Sequence, residues 1–166
     1  MTLVLRIGLA ALAITELVVG AWNQFWPESF YSDFPTVDLT PPFAEHYARD
    51  FGGATLGIGI VLAAAAFVPR SVLVIPALLA MAAFGIPHFL YHLHHLEGAT
   101  GSEATFLVAS TGLAAVLPPV LLVVAVLRMT RDRRRPDLEP RDLEPRDLGP
   151  RDLDAGDADL RDPALG

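Results

Sequence analysis

The chain has 166 residues, 52% of them hydrophobic, and a formal net charge of −7. It contains no cysteine, which excludes disulfides, iron–sulfur clusters and thiol catalysis. So apolar a chain with a charged end points to a small integral membrane protein of one domain, and no basic face is left free of acids for a nucleic acid to bind.

The first apolar stretch runs from Leu3 to Trp22 and is interrupted by Arg6 and Glu16. It has no basic residue ahead of its apolar run, a carboxylate inside it and no small-residue cleavage site, so it is expected to be a retained helix and not a signal peptide. Residues 23–50 form a loop rich in aromatics and prolines, among them Trp26, Phe30, Tyr31, Phe34 and Phe43. Such rings favour the headgroup level, so the loop is expected to lie on the bilayer surface or cap the bundle.

Thr40-Pro41-Pro42 has the form of a helix start, because proline is tolerated in the first turn. The helix that follows is expected to begin near Pro42 and to carry Glu45, His46, Arg49 and Asp50 above the membrane core. Its spanning part is residues 51–68. The third stretch, 72–91, follows a tight turn at Pro69-Arg70-Ser71, which predicts an antiparallel helix hairpin. The fourth, 104–127, contains Pro118-Pro119. Each stretch approaches the ~20 apolar residues that a spanning helix needs, and a backbone in lipid must satisfy its own hydrogen bonds. The expected fold is therefore all-α: a four-helix transmembrane bundle over residues 1–127.

Residues 128–166 repeat an Arg-Asp-Leu-Glu-Pro unit with Pro136, Pro140, Pro145 and Pro150. Prolines at that spacing forbid a helix and the leucines are too sparse for a core, so a disordered tail is expected. Arg6, Arg70, Arg128, Arg131 and Arg133-Arg134-Arg135 all fall on one side of an even number of crossings. The excess of arginine places both termini in the cytoplasm and the chain in the plasma membrane.

Titratable groups at the mouth of a membrane helix are costly there, so they are candidates for function. His88 and His92 are spaced i, i+4 and His95 follows at i+7. A helix continuing through them would present all three on one face, with Tyr91 alongside, as ligands for a transition metal. Glu97, Glu103, His46 or Asp50 could complete the set. The competing reading is that histidine and tyrosine simply suit a membrane interface. A haem would need an axial ligand from a second helix, and no other apolar core supplies a histidine.

Glu16 lies six residues before Trp22, ~9 Å below the outer end of its helix, where an unpaired carboxylate is expensive. Either it is protonated or it pairs with Arg49, the one outer-side arginine, locking the first two spanning helices. Glu45 with Arg49 and His46 with Asp50 are i, i+4 pairs. Gly52, Gly53, Gly57 and Gly59 suit close helix packing, and the Gly53–Gly57 spacing is expected to serve packing within the chain.

Several of these groups fall in motifs: Thr15-Glu16-Leu17, Ser29-Phe30-Tyr31-Ser32-Asp33-Phe34-Pro35, Glu45-His46, Arg49-Asp50-Phe51-Gly52-Gly53, Pro87-His88, Tyr91-His92 and His95. Together they resemble a family of small four-helix integral membrane proteins of high-GC bacteria, over residues 1–127. That resemblance carries no activity with it. The layout is also similar to DoxX-like membrane proteins, which implies a redox or quinone-linked accessory subunit as an alternative. A small proton-coupled transporter titrating Glu16 is a further one. The leading expectation is a non-enzymatic membrane protein. Its outer site, Glu16, His46, Arg49, Asp50 and Tyr91 with His88, His92 and His95, binds a metal ion, lipid or small ligand. Besides the bilayer, a second copy or a membrane partner subunit is the expected company.

Overall fold

The computed structural model describes residues 2–39 and 42–133. Its elements are α1 (Thr2–Phe25), α2 (Pro27–Asp33), a 3-10 turn (Val37–Leu39), α3 (Glu45–Phe67), α4 (Ser71–His94) and α5 (Gly101–Arg133), with no strand among the described residues. The chain is all-α, and α1, α3, α4 and α5 are each long and apolar enough to cross a membrane. At ~1.5 Å per residue, the 24 residues of α1 reach ~36 Å, somewhat beyond a ~30 Å hydrocarbon core.

The four long helices form a ring in which each touches the next: α1 on α3, α3 on α4, α4 on α5, and α5 back on α1. The α3–α4 hairpin is present, turning between Phe67 and Ser71. The more extensive interfaces are nevertheless α1 with α3 and α4 with α5. Glycine explains the first. A Cβ on Gly20 would stand 2.7 Å from the Leu56 backbone nitrogen, and one on Gly52 would stand 2.5 Å from the Gln24 backbone nitrogen. Real Cβ atoms do not approach so closely, so only glycine lets the two backbones meet. Gly85 does the same for α4, within 2.9 Å of the Ala114 carbonyl oxygen on α5. The Gly53–Gly57 spacing does not serve this packing: a Cβ on Gly57 would meet nothing within 4 Å. The buried register is Gly52, Thr55 and Gly59, because helical positions i, i+3 and i+7 share a face.

Helix ends differ from the sequence expectation in ways that chemistry accounts for. Helix α5 begins three residues earlier than expected because Thr100 and Glu103 form a capping box. The Glu103 carboxylate accepts from the Thr100 N–H and Oγ1, each at 2.7 Å, and the Thr100 hydroxyl accepts from the Glu103 N–H at 3.4 Å. It also runs on to Arg133, beyond the expected end at 127. Helix α3 starts at Glu45 and not near Pro42. Thr40 and Pro41, and the repeat tail from residue 134 onward, lie outside the described residues. Pro76, Pro87, Pro118 and Pro119 all sit inside helices that continue past them.

The middle of the ring is closely packed, with a smaller recess of about 290 Å³ beside the Pro69-Arg70-Ser71 turn and a larger cavity at the opposite end. Leu5, Leu9 and Leu12 of α1 meet Leu62 of α3, Leu78 and Met81 of α4, and Leu121 of α5 in a closed core. At the turn end Arg6 donates to the Phe67 carbonyl and Arg128 to the Pro69 carbonyl, each at 3.4 Å. Arginines of α1 and α5 thus serve carbonyls at the end of α3 and in the turn that follows it. The outside of the bundle is apolar too: Leu3, Ile14, Val18, Ile60, Leu113 and Val123 are each more than half exposed, and Phe67 is 82% exposed. In water such a belt would be an aggregation surface; in a bilayer it is the lipid-facing coat.

Candidate functional site

At the other end, α2 and the loop around it lean over the ring. Pro27 fits the first turn of α2, where its missing N–H costs nothing. Phe30 is buried edge-on against Trp22 of α1 (5.6 Å, 84°) and stacks on Phe34 (4.8 Å, 23°). The Trp22 indole donates to Ser29 Oγ at 3.0 Å, and Ser29 donates to Asp33 at 2.8 Å. The aromatic loop therefore caps the bundle, the second of the two placements its composition allowed. Thr36 follows with φ +74°, a left-handed conformation that is rare for a β-branched residue, and its hydroxyl turns back onto the Pro35 carbonyl.

Beneath this cap lies a cavity of about 460 Å³. All four long helices reach it, through Glu16 of α1, Phe51 of α3, His88 of α4 and Thr111 of α5, and the cap contributes Phe34 and Phe43. Eight phenylalanine and tyrosine rings line it, and no arginine or lysine does among the described residues. Its volume falls in the range of pockets that enclose a small organic ligand.

Glu16 is the most costly group in the lining. It is only 5% exposed, and its Oε2 has no hydrogen-bond partner. The expected pairing with Arg49 is not formed. Arg49 instead binds Glu45 one turn away on its own helix, through Nη2 and Nε at 2.8 Å. It also donates from Nη1 to the Gln24 carbonyl at 2.5 Å. Arg49 does tie α3 to α1, but through the end of α1 and not through its buried carboxylate. The carbonyls left open by the last turn of a helix are a ready partner for a guanidinium in reach.

The histidines divide as well. His88 lines the cavity, stacked on Phe84 (5.2 Å, 23°) and edge-on to His92 (4.6 Å, 80°), and His92 lines it too. His95 does not join them. Helix α4 ends at His94, so His95 is its cap residue with extended φ of −130°, off the i+7 face that a longer helix would have provided. Its ring lies flat on Tyr91 (4.1 Å, 14°) and its Nδ1 meets the Tyr91 carbonyl at 2.7 Å. Among the described residues no three His, Asp or Glu side chains converge as a metal site. Glu103, one of the candidate extra ligands, is committed to the α5 cap.

His46 and Asp50 pair with each other at 3.2 Å on the surface, 83% and 64% exposed. Neither they nor Arg49, Tyr91 and His95 line the cavity. Of the eight expected site residues, the fold gathers Glu16, His88 and His92 in one place and leaves five outside. The residues that sequence reasoning missed are Asn23, Thr36, Ser110 and Thr111, together with Phe84 and Phe106. A lone Asn, Ser or Thr in an apolar helix carries little signal, because it can turn back on its own backbone, as Thr111 does to Leu107 (2.6 Å).

The fold is a helical bundle whose four long helices are each long and apolar enough to cross a membrane, with its larger pocket at one end. Comparison with family models, with curated proteins and with solved structures gives no match.

Proposed function

We propose that this chain is a multi-pass plasma-membrane protein that binds a small, largely apolar ligand in the capped cavity, with the arginine-bearing end in the cytoplasm. The observation that carries the reading is the 460 Å³ cavity itself, walled by eight phenylalanine and tyrosine rings and set with Glu16, His88 and His92. A bundle evolved only for rigidity would fill so large an aromatic-walled volume, since every unfilled volume forfeits dispersion contacts. In lipid these contacts matter more, because burial against another helix gains little over burial against acyl chains. The buried carboxylate points the same way, since a polar group held at such cost marks a site and not a scaffold. Binding is positional in this reading and needs no catalytic step.

The test is saturable binding of triphenylphosphine oxide, a compact aromatic molecule with one hydrogen-bond acceptor, to the full chain in lipid nanodiscs. Empty nanodiscs are subtracted. Ser110→Trp, which places an indole where Ser110 lines the cavity, is expected to abolish the saturable part. Binding that survives Ser110→Trp would place the ligand elsewhere and overturn the reading.

A further inference from the structure

We infer that the ligand of this cavity is a lipophilic cation, an amine or onium group carried on an apolar body; the inference rests on the ligand-binding reading above. Three features of the lining select that charge. First, among the described residues Glu16 alone brings a carboxyl group into the cavity, 95% buried, with an Oε2 that none of them satisfies. A carboxylate in such a place needs a proton or a cation as its counter-charge. Second, the protein withholds a cation of its own. Arg49, the arginine nearest the site in sequence, is held by Glu45 and the Gln24 carbonyl and contributes nothing to the lining. Third, the remaining walls are aromatic. Phe34, Phe43, Phe51 and Phe84 present rings, and a ring face is the apolar surface that attracts positive charge. An anionic ligand, a fatty acid or a phosphate headgroup, would meet a carboxylate and no counter-ion. His88 is engaged by Phe84 on its face and His92 at its edge, so it adds another ring to the wall.

A dehydrated cation with a large apolar body loses little hydration on entering, so aromatic walls and one carboxylate suffice to hold it. A small hydrated ion such as sodium is held best by several charged oxygens, and among the described residues no three His, Asp or Glu side chains converge to supply them. The chemistry therefore selects the class in which charge is spread over, or buried within, hydrocarbon.

The experiment pairs a cation with a neutral molecule of similar build, tetraphenylphosphonium and triphenylphosphine oxide. Both are titrated against the full chain in phosphatidylcholine nanodiscs, whose zwitterionic surface gives the cation no bulk advantage. Tetraphenylphosphonium is expected to bind saturably and to weaken about tenfold or more in Glu16→Gln, the weight of one buried charge pair. Triphenylphosphine oxide is expected to bind the wild type and Glu16→Gln alike, which also shows that the variant keeps its cavity. Saturable binding of the neutral probe with no tighter binding of the cation, or cation binding indifferent to Glu16→Gln, overturns the cation inference and leaves the ligand-binding reading standing. Failure of both probes to bind above empty nanodiscs overturns the two together.

Discussion

Arg49 holds the carbonyl oxygen of Gln24 at 2.5 Å, across from α3 to the end of α1. The contact pins the rim of the cavity at the point where α1 gives way to the cap. It also commits elsewhere the arginine that the sequence offers as a partner for Glu16. A single side chain thus closes the frame and leaves the buried carboxylate for something else.

Arg49→Ala should destabilise the bundle by about 1–2 kcal/mol, the worth of a charged hydrogen bond discounted for partial exposure. Its other partner, Glu45, is exposed, and Glu45→Ala should change stability by less than about 0.5 kcal/mol. Thermal melts of both variants in detergent check the order. Equal effects would mean that the ion pair on α3, and not the bond to Gln24, is what Arg49 contributes.

The glycines make a sharper contrast. Gly52→Ala places a methyl group 2.5 Å from the Gln24 backbone, which neither helix can yield without separating. A loss of about 1–3 kcal/mol is expected, as for an overpacked core. Gly57→Ala adds a methyl group in open space and should leave stability unchanged or raise it by up to about 1 kcal/mol. Similar melting temperatures for the two variants would contradict the α1–α3 register.

Glu16 is held against stability. Glu16→Leu removes a buried oxygen that no residue satisfies, so the ligand-free protein should gain about 1–3 kcal/mol. Triphenylphosphine oxide binding should persist while tetraphenylphosphonium binding falls. A less stable Glu16→Leu protein would show that Glu16 is a structural group, paired in the native membrane with something in the chain.

The histidine cluster should split in function as it does in space. His95→Ala removes a ring that stacks on Tyr91 outside the cavity and should leave probe binding as it is; His88→Trp intrudes on the cavity and should weaken it. Elemental analysis of protein purified without a His-tag should find no stoichiometric transition metal. A metal present in the wild type and lost in His88→Ala/His92→Ala would show that His88 and His92 hold a metal ion after all.

Orientation is testable because the chain has no cysteine of its own. A single cysteine at Ser32, in the cap, should react with an impermeant maleimide on intact cells, and one at Ser71 should react only after lysis. The reverse pattern would turn the topology over.

The sequence determined the architecture by itself. Four uncharged or nearly uncharged stretches of spanning length predict four long apolar helices, and the structure has them. It also showed that Glu16, His88 and His92 are expensive where they stand. Pairings across the ring were not legible, because they depend on which of several near partners a side chain reaches first. On sequence grounds Arg49 pairs with Glu16 or Glu45, and only the crossing at Gly20 and Gly52 brings the Gln24 carbonyl into reach. The i+7 spacing makes His95 a third ligand only on an unbroken helix, and α4 stops at His94 and turns it onto Tyr91. The cavity is the clearest case: it is a volume that four helices and a cap leave unfilled. No residue encodes a void; it exists only where side chains distant in sequence fall short of one another.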